Sequence, residues 1–205
     1  MAVPKPIAVP RRRSRNVDPA HAVYELDLWL VDSDPAIWRS LALPADFTLG
    51  EVHHIIQCVM PWEDYHMHAF EAKDGQRYAM AEMHEDDTLR IDSMFSFFRG
   101  GPEHEDIDEN QVTLRDVFEP LKEKLVYEYD FGDSWIHALK LIQTHAVPAA
   151  FDRLPICLAG ANAAPPEDSG SLWGYYEKLD ILKNPADEEH QYIVEWMGMR
   201  AQTVK

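Results

Sequence analysis

Residues 125–139 read LVYEYDFGDSWIHAL, and no other stretch of the chain restricts the fold as much. Two runs rich in aromatic and branched residues flank an Asp-Phe-Gly-Asp turn, the pattern of an antiparallel hairpin. Tyr127, Tyr129 and Phe131 alternate on one face of the first run. Trp135 and His137 share a face of the second, continued by Leu139 and Leu141. Gly132 is expected to supply the positive φ of a tight turn, with the carboxylates of Asp130 and Asp133 accepting backbone N–H groups. A buried imidazole at His137 needs a polar partner, and Asp130, Asp133 or carboxylates further along the chain are the candidates.

The rest of the chain supplies partners for this hairpin. VYELDLWLV alternates polar and apolar positions over residues 23–31 with the period of a half-buried strand. After the turn signal Asp34-Pro35, IWRSLALP predicts a second, antiparallel strand. FTLGEVHHIIQCVM then opens a helix, with Thr48 and Glu51 as its capping box and Phe47 placed to staple onto Val52. Leu49, Val52, Ile56 and Val59 define its buried stripe. At 100° per residue His53 lies about 40° from Leu49, at the stripe's margin, whereas His54 points well away. His66, His68 and Phe70 are expected on one strand face, followed by a Lys73-Asp74-Gly75 turn and a return strand, QRYAM. The acidic segment 82–109 surrounds MFSFF and reads as a loop with a short helix docking through its phenylalanines. TLRDVFEPL predicts a short helix capped by Thr113. LPICLAGANAAPPEDSGSLWGY, rich in Pro, Gly, Ala and Ser, is expected to be an extended ordered loop. Trp173, Tyr176, Leu179 and Leu182 then recur at helical spacing, and Asn184-Pro185 ends that helix and can begin a last one through HQYIVEW. Antiparallel strands with interspersed helices predict a single-domain α+β fold over residues 19–205.

Charge separates the first 18 residues from this domain. Of 19 basic residues, Lys5, Arg11, Arg12, Arg13 and Arg15 fall in this tail, which has no acid before Asp18; the remaining 14 face 35 acids. Residues 1–18 are expected to be a flexible basic tail, because proline and arginine offer nothing to bury. The acidic body repels phosphate backbones, so nucleic acid is not expected as its partner unless a local patch or the basic tail intervenes, and a protein with a basic surface fits better. No run of about 18 apolar residues predicts a membrane span. MAVPKPIAVPRRRSR lacks the apolar core of a secretory signal, and two cysteines make no disulfide framework, so a cytoplasmic location is expected.

Taken in order, PAIWRSLALP, TLGEVHHIIQCVMPWEDYHMHAF, YEYDFGDSWIH and PICLAGANAAPPEDSGSLWGY resemble the plasmid pRiA4b ORF-3-like family over roughly residues 20–185. The resemblance implies an α+β domain of bacterial or archaeal origin, often found near mobile elements, and implies no particular activity. Some members carry a resolvase label; that chemistry needs clustered arginines around a nucleophile, and the arginines here are scattered over an acidic body. The chain departs from the family pattern at Pro61 and Ser171, where glycine is common, and at Ala164 and Ser169, where cysteines often flank the PPED segment. A thiolate-rich zinc site is therefore not expected.

Within the resembling motifs the polar residues of interest are His53, His66, His68, Asp130, Asp133, Trp135, His137, Glu167 and Asp168. Two readings compete. One is a non-catalytic binding module in which these residues form a ligand-binding or structural polar cluster, with no resident cofactor. The other is a metal-dependent hydrolase holding zinc or manganese, with His66, His68 and His137 as candidate ligands and Asp130 or Asp133 completing the site or acting as base. Glu167 and Asp168 also suit the cap of the helix that follows them.

Overall fold

The computed structural model describes residues 22–80, 106–121, 124–146 and 153–203. Segment 1–18 and the phenylalanine cluster of the acidic segment lie outside these residues. The elements are β1 (Ala22–Leu30), β2 (Trp38–Pro44), α1 (Leu49–Val59), β3 (His68–Glu71), β4 (Arg77–Ala79), β5 (Ile107–Asp108), α2 (Leu114–Leu121), β6 (Lys124–Tyr129), β7 (Trp135–Ala146), β8 (Ile156–Ala161), α3 (Ser171–Lys183) and α4 (His190–Thr203). The strands form one sheet in the order β5-β4-β3-β6-β7-β1-β2-β8. Every pairing is antiparallel except β4 with β5. The α+β expectation holds. Among the described residues no helix is long and apolar enough to cross a membrane.

Cross-strand partners project to the same face, so the register says what each face carries. One row runs His68, Tyr129, Trp135 across β3, β6 and β7. The next runs Phe70, Tyr127, His137, Leu30 across β3, β6, β7 and β1. Leu26, Leu28, Leu41, Leu43, Leu125 and Leu139 continue this face, and all are fully buried. The other face carries Asp27, Lys140, Glu128 and the Trp29–Trp38 pair, with Lys124 Nζ 5.1 Å above the Trp29 ring. One dry face and one wetted face explain the alternation of β1.

Helices α1 and α2 cover the dry face. Leu49, Val52, Ile56, Leu114, Val117 and Phe118 enter one core with the sheet residues. The capping box of α1 is present: Glu51 N–H donates to Thr48 Oγ1 at 3.2 Å and Thr48 N–H to Glu51 Oε2 at 2.8 Å. Thr113 and Asp116 repeat the arrangement at α2. A bridge between Thr48 and Thr113 aligns the two helix starts. Such caps contribute about 1 kcal/mol each, so the apolar stripe, not the caps, holds these helices on the sheet.

Three expectations are corrected. The alanine- and glycine-rich stretch ICLAGA is not loop but the edge strand β8, paired to β2. Gly160 serves close approach: a Cβ there would lie 2.8 Å from Arg39 Cδ and 2.9 Å from the Trp38 carbonyl oxygen. The last helix begins at His190 rather than at Pro185, after a turn. On α3 the side chain turned inward is Tyr175, with Leu172, Tyr176 and Leu179 packed beside it, while Trp173 is 74% exposed. Ser171, where the resembling family favours glycine, has φ +64°, in the left-handed region that glycine tolerates best.

Candidate functional site

The register puts four connections at one end of the sheet. Segment 61–67 leads into β3, 130–134 joins β6 to β7, 31–37 joins β1 to β2, and 162–170 follows β8. Side chains lock three of them together. Trp62 Nε1–H donates to the Pro165 carbonyl at 2.8 Å, and Glu63 N–H donates to Glu167 Oε2 at 2.9 Å. Gly170 N–H donates to Asp133 Oδ2 at 2.9 Å, and Asp130 N–H to the Met67 carbonyl at 2.9 Å. Trp62 lies flat on Tyr129 at 4.9 Å and edge-on to His137 at 5.3 Å.

Beneath these loops lies a buried polar chain. His53 Nε2 is 2.6 Å from Asp64 Oδ1, and His53 Nδ1 is 2.8 Å from the Tyr127 hydroxyl. Gln57 Nε2–H donates to the same hydroxyl at 3.0 Å. Carboxylate geometry assigns the proton of a neutral His53 to Nε2, so Nδ1 accepts the phenol O–H and the phenol oxygen accepts from Gln57. Burial, reinforced by the neighbouring His68, pushes the His53 pKa down to about 4 against the pull of Asp64. His68 stacks on His53 with ring centroids 3.5 Å apart and planes 1° from parallel, and its Nε2 meets Glu109 Oε2 at 2.9 Å.

Tyr129 donates its phenol proton to Glu167 Oε1. Burial, together with Glu167, holds the Tyr129 phenol well above its ordinary pKa, so the proton stays on oxygen. Burial also raises the Glu167 carboxyl, although Tyr129 and the Glu63 N–H pull it back. His137 is fully buried; its Nδ1 is 3.0 Å from the Trp135 carbonyl, and burial lowers its pKa to about 4. Its Nε2, Trp135 Nε1, His68 Nδ1 and Gln57 Oε1 are buried without a hydrogen-bond partner among the described residues.

The outer layer is carboxylate and aromatic. His66 Nε2 lies 3.4 Å from Asp168 Oδ1 and 3.6 Å from Asp130 Oδ2. Tyr65, half exposed, donates its hydroxyl to Asp168 Oδ2 at 2.8 Å. Arg39 and Lys178 reach these loops but bond to carbonyl oxygens: Arg39 to Val59, Trp38, Ala161 and Asn162, and Lys178 to Ser169.

Of the residues singled out in the sequence, all nine lie at or just under this end of the sheet, though not in the expected arrangement. His66 is in the loop before β3, so it does not share a strand face with His68. His68 is buried, 3% exposed. His66, His68 and His137 do not form one donor set, since His68 meets Glu109 and His137 meets its own strand's carbonyl. None of the carboxylates partners His137. Positive φ falls on Asp130 and Ser134, not on Gly132. Gly132 instead allows close approach, because a Cβ there would lie 3.1 Å from the Asp130 Oδ1 that its own N–H contacts. Asp64, Tyr65, Gln57 and Glu109 were not singled out. Asp64 and Tyr65 lie within the PWEDYH motif beside His66, which is a usable signal; Glu109 carries none.

The plasmid pRiA4b ORF-3-like protein model matches residues 22–203. The chain is 30% identical over 178 residues to uncharacterized protein y4hQ of Sinorhizobium fredii, covering 86% of this chain and 81% of that one. It is also similar to the crystal structure of a protein of unknown function, MM3350, from Methanosarcina mazei Go1, with a TM-score of 0.67 and 34% identity over 86% of this chain and 89% of that one. The fold, the meeting of the motif loops and these similarities agree: the chain belongs to the plasmid pRiA4b ORF-3-like family.

Proposed function

We propose that this protein is a non-catalytic binding module, accessory to a mobile element and acting in the cytoplasm, that recognises a basic protein partner with the loop end of its sheet. The observation that supports this reading is that Glu63, Asp64, Asp130, Asp133 and Asp168 all lie in the loops that meet at this end, with half-exposed Tyr65 bonded to Asp168, while Arg39 and Lys178 bond to carbonyls nearby. Carboxylates flanking an aromatic ring suit a guanidinium or ammonium group, by charge pairing and by cation–π contact. The buried histidines and phenols offer little for proton transfer near neutral pH: His53 and His137 are pushed down to about 4, and Tyr127 and Tyr129 well up.

The test is fluorescence anisotropy with a labelled octa-arginine peptide against an octa-glutamate control at low and high salt. Selective, salt-sensitive binding that weakens severalfold in Glu63→Lys is expected. Equal binding of both peptides, or no change in the variant, would sink the reading. A metal-dependent hydrolase is the second reading, favoured by the donors around His66; it requires zinc-stimulated turnover of an ester or phosphoester.

A further inference from the structure

We infer that His66 Nε2, Asp130 Oδ2 and Asp168 Oδ1 form a three-donor site for a four-coordinate divalent cation of the zinc type. The site shares Asp130 and Asp168 with the basic-partner surface, but its test does not rest on that reading. The three donor atoms lie within 4.8 Å of one another. Among the described residues, His66 Nε2 is buried and makes no hydrogen bond, although two carboxylates face it. Separations of 3.4 and 3.6 Å are too long for a charge-assisted N–H···O bond, which closes to about 2.8 Å. They match the edge of a tetrahedron around zinc instead: metal–ligand bonds near 2.1 Å at the tetrahedral angle separate two ligands by about 3.4 Å.

Each carboxylate is also held as a ligand needs to be held. Asp130 uses Oδ1 to accept from Gly132 N–H at 2.9 Å and Asp133 N–H at 3.3 Å, and turns Oδ2 to His66. Asp168 uses Oδ2 to accept from the Tyr65 hydroxyl and turns Oδ1 to His66. One oxygen oriented by an outer hydrogen bond and the other aimed at a common point is the second-shell pattern of bound metals. Two carboxylates and a neutral imidazole balance a dication. Asp130 is 11% exposed at its side chain and Asp168 is 45% exposed, so the fourth position opens to solvent. Three protein ligands with an open fourth position suit a cation that binds water or an anionic group of a ligand, rather than a closed structural site.

A second grouping, His53, His54 and Asp64, is already internally bonded. The 2.6 Å contact between His53 Nε2 and Asp64 Oδ1 is already a good hydrogen bond, and His53 Nδ1 is taken by Tyr127. A cation there would have to break the His53–Asp64 bond.

The test uses the untagged full chain, stripped with chelator, and isothermal titration with zinc alone. One zinc per chain is expected, with affinity falling at least tenfold in His66→Ala, Asp130→Asn and Asp168→Asn, while His54→Ala stays unchanged. Tyr65→Phe removes the hydroxyl that orients Asp168 and keeps the ring, so it should weaken zinc by roughly tenfold without loss of fold. Cobalt supplies a readout independent of affinity: the intense visible bands of four-coordinate cobalt should appear in the wild type and vanish in His66→Ala. No zinc binding, binding that survives His66→Ala, binding lost in His54→Ala, or a weak six-coordinate cobalt spectrum would each overturn the inference.

Discussion

Replacing Tyr127 by phenylalanine isolates the buried polar chain, because the ring stays and only one oxygen goes. That oxygen lies 2.8 Å from His53 Nδ1 and 3.0 Å from Gln57 Nε2, and the residue is fully buried. Its removal leaves an imidazole acceptor and an amide donor without partners in a site closed to water. Each such orphan costs about 1–3 kcal/mol, and a missing hydroxyl leaves little cavity, so Tyr127→Phe should destabilise by roughly 2–4 kcal/mol. With a urea m-value near 2 kcal/mol/M, the unfolding midpoint should fall by about 1.5 M at unchanged m. Gln57→Met in the same background should show coupling of about 1 kcal/mol, since one orphan is then gone in advance. A loss below about 0.5 kcal/mol, or strict additivity of the two changes, would show that the Asp64–His53–Tyr127–Gln57 chain does not hold the core as described.

Acid should weaken the fold before the ordinary carboxylates titrate. His53 and His137 sit near pKa 4 when folded against 6.5 when free, so the unfolded chain takes up protons first. Their contribution is intact above about pH 6.5 and is lost as pH falls toward 4, up to about 1.4 kcal/mol per pH unit for each residue. Glu167, raised on folding, acts in the opposite sense. Urea midpoints from pH 7.5 to 4.5 measure this, and His137→Leu should take up about one proton fewer on unfolding; a flat profile would contradict the assignment. Gly174→Ala should destabilise by roughly 2–3 kcal/mol, because its Cβ would sit 2.3 Å from the Ser169 backbone oxygen and force the PPEDSG loop away; thermal melts showing no loss would refute the close approach.

What was readable in the sequence was what depends on local periodicity and capping. The β6–β7 hairpin, the β1–β2 pair and the start of α1 each carry their signal within about 15 residues, and the structure forms them. The edge strand β8 was hidden because alanine and glycine carry little strand propensity, and Gly160 instead makes room for Arg39. His66 moved off its strand because β3 starts only at His68, where pairing with Tyr129 begins. The polar residues were identifiable as a set, but their pairing was not. His68 meets a carboxylate 41 residues away and Tyr129 one 38 residues away, distances over which no local pattern extends.

The central claim, that the loop end of the sheet is a recognition surface, is tested most directly by amide chemical-shift mapping. Octa-arginine peptide is titrated into the 15N-labelled full chain. The account predicts saturable shifts concentrated in 61–67, 130–134 and 162–173, with β4 and the far end of β7 unmoved. Shifts centred on another surface, or none at concentrations where the peptide binds, would contradict it.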